Sequence, residues 1–141
     1  EHNLNCIILR FFNIYGVGQS DEYSGVITKF IKRITQNEPL EIFGDGLQTR
    51  DFVSIYDVID SIYNSISNDK NGTYNIASGK AVTIKELTEL IISTSGKKLE
   101  VKYTAPKKGD IIHSQADISL AKNNLEYYPK FELKEGIKQL L

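Results

Sequence analysis

The chain has 141 residues, enough for one domain with its own core or for a large piece of a bigger protein. With 40% apolar and 25% charged residues it is not a disordered tail, and a net charge of −1 provides no bulk field for nucleic acid or an anionic membrane. Any anion the protein holds must be held by locally placed groups. No run approaches the ~18 apolar residues of a membrane span, and no signal-peptide pattern opens the chain. The single cysteine, Cys6, lies in the apolar run CIIL and is expected in the core, which fits a reducing, cytoplasmic location. There is no methionine, and an apolar run begins within a few residues of EHNLN. This is the pattern expected of a piece of a longer chain, cut just ahead of a strand.

In chain order, residues 4–12 (LNCIILRFF) predict a strand buried on both faces, as in a parallel α/β sheet. NIYGVGQSDEYSG follows as a polar loop. In GVITKFIKRITQNE, the residues Val26, Ile27, Phe30, Ile31 and Ile34 recur at helical spacing, with Lys29, Lys32 and Arg33 on the wet side and Pro39 as a stop signal. LEIF and FVSI flank a Gly-Asp-Gly turn and predict a hairpin. IYDVIDSIYNSI sets Ile55, Val58, Ile59, Ile62 and Ile66 on one helical stripe. A turn at NGT and a strand at YNIA come next. Thr83-Ile84-Lys85-Glu86 has capping-box form and opens a helix that Gly96 closes. LEVKYTA alternates as a strand, APKKGDIIHSQAD is irregular, Asp117 is placed to cap ISLAKNNL, and LKEGIKQLL is a short amphipathic helix. The alternation of strand and helix predicts an α/β fold.

The usual catalytic constellations are missing. His2 and His113 are far apart in sequence, and no serine or cysteine sits in a nucleophile elbow. Neither HExxH, nor paired cysteines, nor a carboxylate-rich calcium loop occurs, so no metal is expected. GVGQSD and GDGLQT imitate dinucleotide loops but lack the third glycine that lets helix and strand pack closely. Tyr103 and Lys107 have Tyr-x-x-x-Lys spacing, yet Pro106 between them rules out the helical turn that would align the pair.

What remains suits anion binding. Arg50 follows a sharp turn, where its planar fork can meet a pair of phosphate oxygens. Asn13 ends a predicted buried strand, at the edge where α/β sheets present ligand groups. Lys107 and Lys108 precede a Gly-Asp in an irregular loop. Each has a bland alternative: Arg50 paired with Asp51 or Asp45, Asn13 capping a loop, the lysines solvated.

Taken in order, LRFFNIYGVGQ, GVITKFI, EPLEIFGDGLQTRDFVSIYDVIDSI, GTYNIASGKAVTIKELTELI and PKKGDIIHSQADISLAKNNL resemble the C-terminal half of extended short-chain dehydrogenase/reductases. These are the nucleotide-sugar epimerases and dehydratases, and the likeness is strongest to the UDP-glucose 4-epimerase group. The resemblance implies an α/β fragment: a substrate-binding part plus the last strands of a Rossmann sheet, without the N-terminal cofactor domain. Residues 1–16 and 54–95 would then belong to the Rossmann domain, and 17–53 and 96–141 to the nucleotide-sugar region. Asn13 would bond the substrate diphosphate and Val26 would lie along the nucleotide. The backbone of Glu41 and Phe43 would meet the uracil edge, with the Phe43 ring beside it. Arg50 and Lys107 would bind phosphate, and Asp110 the ribose hydroxyls; Asp51 would fix the local backbone.

Lys107 stands where the family usually has arginine, Val17-Gly18 replaces the usual Pro-Arg, and Ile112 a common charged residue. The family's glycine-rich NAD loop and its tyrosine–lysine helix belong upstream. The resemblance therefore implies an NAD-dependent UDP-sugar 4-epimerase as the parent, itself a homodimer, with this chain alone inactive and binding no cofactor well. The same portion of a 4,6-dehydratase, or a non-catalytic nucleotide-sugar-binding module, is the alternative. An apolar face left without sheet neighbours is expected to favour self-association.

Overall fold

The computed structural model describes residues 5–20 and 25–141, so the expected roles of His2, Leu4 and Asp21 lie outside the described residues. In chain order the elements are β1 (Ile7–Phe11), β2 (Asn13–Tyr15), α1 (Val26–Thr35), β3 (Leu40–Phe43), β4 (Thr49–Ser54), α2 (Ile55–Ile66), β5 (Gly72–Ile76), β6 (Ala81–Thr83), α3 (Ile84–Ser95), β7 (Val101–Thr104), α4 (Ser119–Leu125) and α5 (Leu133–Leu140). This is the α/β alternation the sequence predicts. β1 runs parallel to β5, β2 parallel to β4, and β3 parallel to β7; β6 joins β4 antiparallel.

The strand expected over 4–12 is described over Ile7–Phe11, and a second strand, β2, begins at Asn13 inside the stretch expected to be a polar loop; between them the Phe12 N–H bonds Ile76 O at 3.0 Å. β1 and β2 thereby reach different partners, β5 and β4. β1 is not buried on both faces, since Ile8 and Phe11 are exposed, and so is Cys6 just before it. The expected hairpin is absent too. β3 and β4 do not pair, because the Gly-Asp-Gly turn carries the chain from one sheet to another, and each strand has a parallel partner distant in sequence.

Two cores flank β4. The first gathers Ile27, Phe30 and Ile34 of α1, Leu40 and Ile42 of β3, Leu87 and Ile91 of α3, and Ile137 of α5. The second gathers Tyr74, Ile76 and Ala77 with Val53, Val58, Ala121, Leu125 and Tyr127. Phe52 belongs to the first and Val53 to the second, as neighbouring residues of a strand must when both faces are covered. α5 approaches β2 so closely that a Cβ on Gly136 would lie 2.5 Å from Tyr15 Oη, which accounts for a glycine inside a helix.

α2 bears out its predicted apolar stripe only in the first turn, where Val58 is buried and Ile55 packs against the second core. Asp57 and Ser61 are buried with Val58, whereas Ile59, Ile62 and Ile66 of the predicted apolar stripe are exposed. Ser54 both ends β4 and caps α2, so no loop residue is free to rotate the helix. The inward polar groups are satisfied: Asp57 accepts from Lys130 N at 2.8 Å and Phe131 N at 3.3 Å, and Ser61 Oγ donates to Val58 O at 2.7 Å. Burial raises the Asp57 carboxyl above its ordinary range.

The α3 signals hold as read. Thr83 Oγ1 accepts from Glu86 N at 3.0 Å, Glu86 Oε2 accepts from Thr83 N at 2.8 Å, and Gly96 ends the helix at φ 67°. At α4 the cap position falls on Ile118, and Asp117 instead closes a local turn by accepting from Ser119 N at 2.8 Å.

Candidate functional site

Alternation along β4 sends Arg50 and Phe52 to one side and Asp51 and Val53 to the other. Arg50 therefore pairs neither with Asp51 nor with Asp45. Its guanidinium bonds Asp110 and donates to Ile111 O at 2.5 Å and Thr49 O at 2.8 Å. Asp51 is fully buried. It accepts from Ser78 N at 2.8 Å, Ser78 Oγ at 2.6 Å, Gly79 N at 3.1 Å and Ala116 N at 3.1 Å. It thus ties β4 to the β5–β6 turn and to the segment before α4, a wider role than fixing its own backbone.

The turn after β3 depends on Gly44 and Gly46, both at positive φ (73° and 79°). Asp45 accepts from Leu47 N at 2.9 Å inside the turn, and Gly44 N donates to Thr104 O at 2.9 Å. Leu40 and Ile42 enter the core, leaving Glu41 and Phe43 on the opposite, half-exposed face of β3. Gln48 Nε2 holds Phe43 O at 2.7 Å. Arg33 bridges from α1, donating to Pro39 O at 2.9 Å and Glu41 Oε2 at 3.0 Å.

Beyond β7, residues 105–113 form a strap over this face. It is tethered by Arg50 and by Thr49 N bonding Ile112 O at 2.8 Å, with Ser114 N on Thr49 Oγ1 at 3.2 Å. Lys107 Nζ lies over the Phe43 ring, 4.0 Å from its centroid.

These elements enclose a cavity of about 690 Å³, and Asn13, Val26, Glu41, Phe43, Arg50, Lys107 and Asp110 all line it. Lys29 and Arg33, assigned above to the wet side of α1, are wall residues as well, as are Gln48 and Phe52. The sequence signal for the first two was present: basic residues four apart on one helix face. The lining carries four cationic side chains (Lys29, Arg33, Arg50, Lys107) against two carboxylates (Glu41, Asp110), a net +2 on a chain of net −1. A flat ring and an anion can both be held there, the ring by Phe43 and the anion by cations and the Asn13 amide.

Tyr15, also in the lining, buries its hydroxyl against Gly136 without a protein partner. Burial, then the charges of Asp57 and Glu132, push its pKa up to about 12, so it stays protonated at neutral pH. A dinucleotide cofactor does not fit the glycine stretches. Gly16–Gly18 is not followed directly by a helix, and Gly44–Gly46 is consumed by bonds to Thr104 and Lys85. Among the described residues no cluster could hold a metal ion, and no helix is long and apolar enough to cross a membrane.

Comparison with known proteins shows the family and the fold. A putative UDP-glucose 4-epimerase of Methanocaldococcus jannaschii is 37% identical over 141 residues, covering 99% of this chain and 46% of its own length. The crystal structure of a UDP-N-acetylglucosamine 4-epimerase from Methanobrevibacter ruminantium M1, in complex with UDP-N-acetylmuramic acid, superposes with a TM-score of 0.92 at 36% identity, over 97% of this chain and 45% of that one. UDP-glucuronic acid decarboxylase 1 of Arabidopsis thaliana is 28% identical over 134 residues, 95% of this chain and 31% of its own. The chain thus spans less than half the length of these relatives. The profile of the NAD dependent epimerase/dehydratase family matches residues 1–77, more than half of the 141. By sequence and by fold, this chain belongs to the NAD dependent epimerase/dehydratase family.

Proposed function

We propose that the cavity between α1, β3, β4 and the strap binds the nucleotide of a UDP-sugar, and that the chain is the substrate-binding portion of an NAD-dependent nucleotide-sugar 4-epimerase. One observation carries this reading: an aromatic ring, an amide and several cations line a single cavity whose charge is opposite in sign to that of the chain. In this account Phe43 and the backbone of Glu41 hold the base, and Val26 flanks the nucleotide. Arg50, Lys107 and Asn13 hold the diphosphate, and Asp110 takes the ribose hydroxyls. The family's cofactor would supply hydride chemistry at the sugar; this chain contributes binding and orientation. Residues 1–16, 54–95 and the parallel β1/β5 pair are assigned to the cofactor domain's sheet, and 17–53 and 96–141 to the nucleotide-sugar region, although α3 packs with α1 and α5. The 4-epimerase reading is preferred to decarboxylase or dehydratase on the 37% identical relative, and the exposed stripe of α2 supports self-association of the isolated chain.

Calorimetric titration with UDP, dTDP and GDP side by side tests the assignment. UDP is expected to bind more tightly than GDP, and Arg50→Ala to weaken UDP about tenfold or more. GDP binding as tightly as UDP overturns the base assignment, and equal affinity of variant and parent for UDP removes Arg50 from the site.

A further inference from the structure

Lys107 is the wall residue with two possible tasks and one charge. Its ammonium lies 4.0 Å from the centroid of Phe43, and both residues line the cavity. A base stacked on that ring face would need the volume the ammonium occupies, since stacked planes sit about as close as a cation does. Base and ammonium therefore compete. Among the described residues Lys107 has no carboxylate at ion-pair distance, so nothing but the ring anchors its charge. Its four-carbon stem can swing, and Gly109 behind it has φ 82° with open space around it. The rest of the strap stays tethered, because Arg50 grips Asp110 and Ile111 O while Thr49 N holds Ile112 O.

An arginine here would spread its guanidinium flat and serve ring and phosphate together. A lysine ammonium is a compact charge that serves one or the other. A ligand with both base and diphosphate offers the displaced ammonium a new partner, whereas a nucleoside offers none.

We infer that Lys107 is a specificity-determining residue: resting on Phe43, it competes with bases that arrive without a phosphate, and it yields more readily to ligands that rehouse its charge. The inference rests on the nucleotide reading of the cavity and adds the discrimination between nucleotide and nucleoside.

The test compares uridine and UDP on the 141-residue chain by NMR titration, in the parent and in Lys107→Ala. The variant is expected to bind uridine about two- to fivefold more tightly, as release of an exposed cation–π contact implies, and UDP about tenfold more weakly. In a Phe43→Leu background, Lys107→Ala should leave uridine affinity unchanged, since the contested surface is gone. Uridine affinity that is unchanged or lower in Lys107→Ala, with UDP weakened, overturns the inference and leaves an ordinary phosphate partner. A parent that binds neither ligand overturns the nucleotide reading itself, and this inference with it.

Discussion

Arg50 and Asp51 are adjacent and oppositely charged, and they share no bond. The pleat of β4 separates them: Arg50 turns to the cavity and Asp51 to a buried hub of four hydrogen bonds. A surface bridge between them would contribute little, ~0–1 kcal/mol, whereas a buried carboxylate that satisfies three backbone N–H groups is costly to alter. Asp51→Asn keeps the shape but points an amide N–H₂ at donors on one side. It is expected to destabilise the chain by about 2–3 kcal/mol, seen as a lower urea midpoint at unchanged slope. A loss below about 0.5 kcal/mol would show the hub to be dispensable. The opposite directions of the two side chains are legible from strand alternation; the partners Asp110, Ser78 and Ala116, some 27 to 65 positions away, are not.

Among the elements, α3 matches its local sequence signals, α4 misses its expected Asp117 cap by one residue, and α2, whose orientation is set by attachment, departs further. α3 begins at a capping box and ends at a left-handed glycine because both devices act within a few residues. Thr83→Ala should cost about 1 kcal/mol of stability. The bonds from Thr83 lower the Glu86 pKa below its usual 4.5, so its folded value lies under its unfolded one. The stabilisation is therefore complete above the unfolded value and disappears as pH falls through the lowered folded value. Thermal scans should show the gap between parent and Glu86→Gln narrowing as pH falls below the usual glutamate range; a gap that stays constant with pH would show that the carboxylate charge adds nothing to the cap. α2 shows the contrary case. Its apolar periodicity is real, but the helix follows β4 without a linker and Asp57 must reach the backbone of Lys130 and Phe131, so Ile59, Ile62 and Ile66 face outward. Periodicity reports that a helix has an apolar stripe, not what will cover it.

For the whole molecule, parallel pairing is decisive. LEIF-GDGLQT-RDFVS suits a hairpin, since antiparallel neighbours need only a turn. Instead β3 finds β7 and β4 finds β2, and this is what places Phe43 on one strand and Arg50 on another around a shared cavity. Tyr103 lies on β7 and Lys107 in the strap, so the two do not share a helical turn, as Pro106 between them implies. The 141-residue chain supplied with NAD and UDP-glucose is expected to form no UDP-galactose; product detected by coupled assay or NMR would refute the separation of binding from chemistry.

What the amino-acid sequence determined alone is short-ranged: the alternation of strand and helix, the caps of α3, the opposed faces of β4, and the residue types that suit an anion and a flat ring. Its ordered motifs were enough to indicate the family. Only the tertiary structure decided that Asn13, Phe43, Arg50, Lys107 and Asp110 line one cavity, that Lys29 and Arg33 join them, and that the ammonium of Lys107 lies on a ring. The reason is physical. Caps and pleats are set by backbone geometry over a few residues, whereas a cavity is set by parallel strands whose partners can be adjacent in space at any distance along the chain.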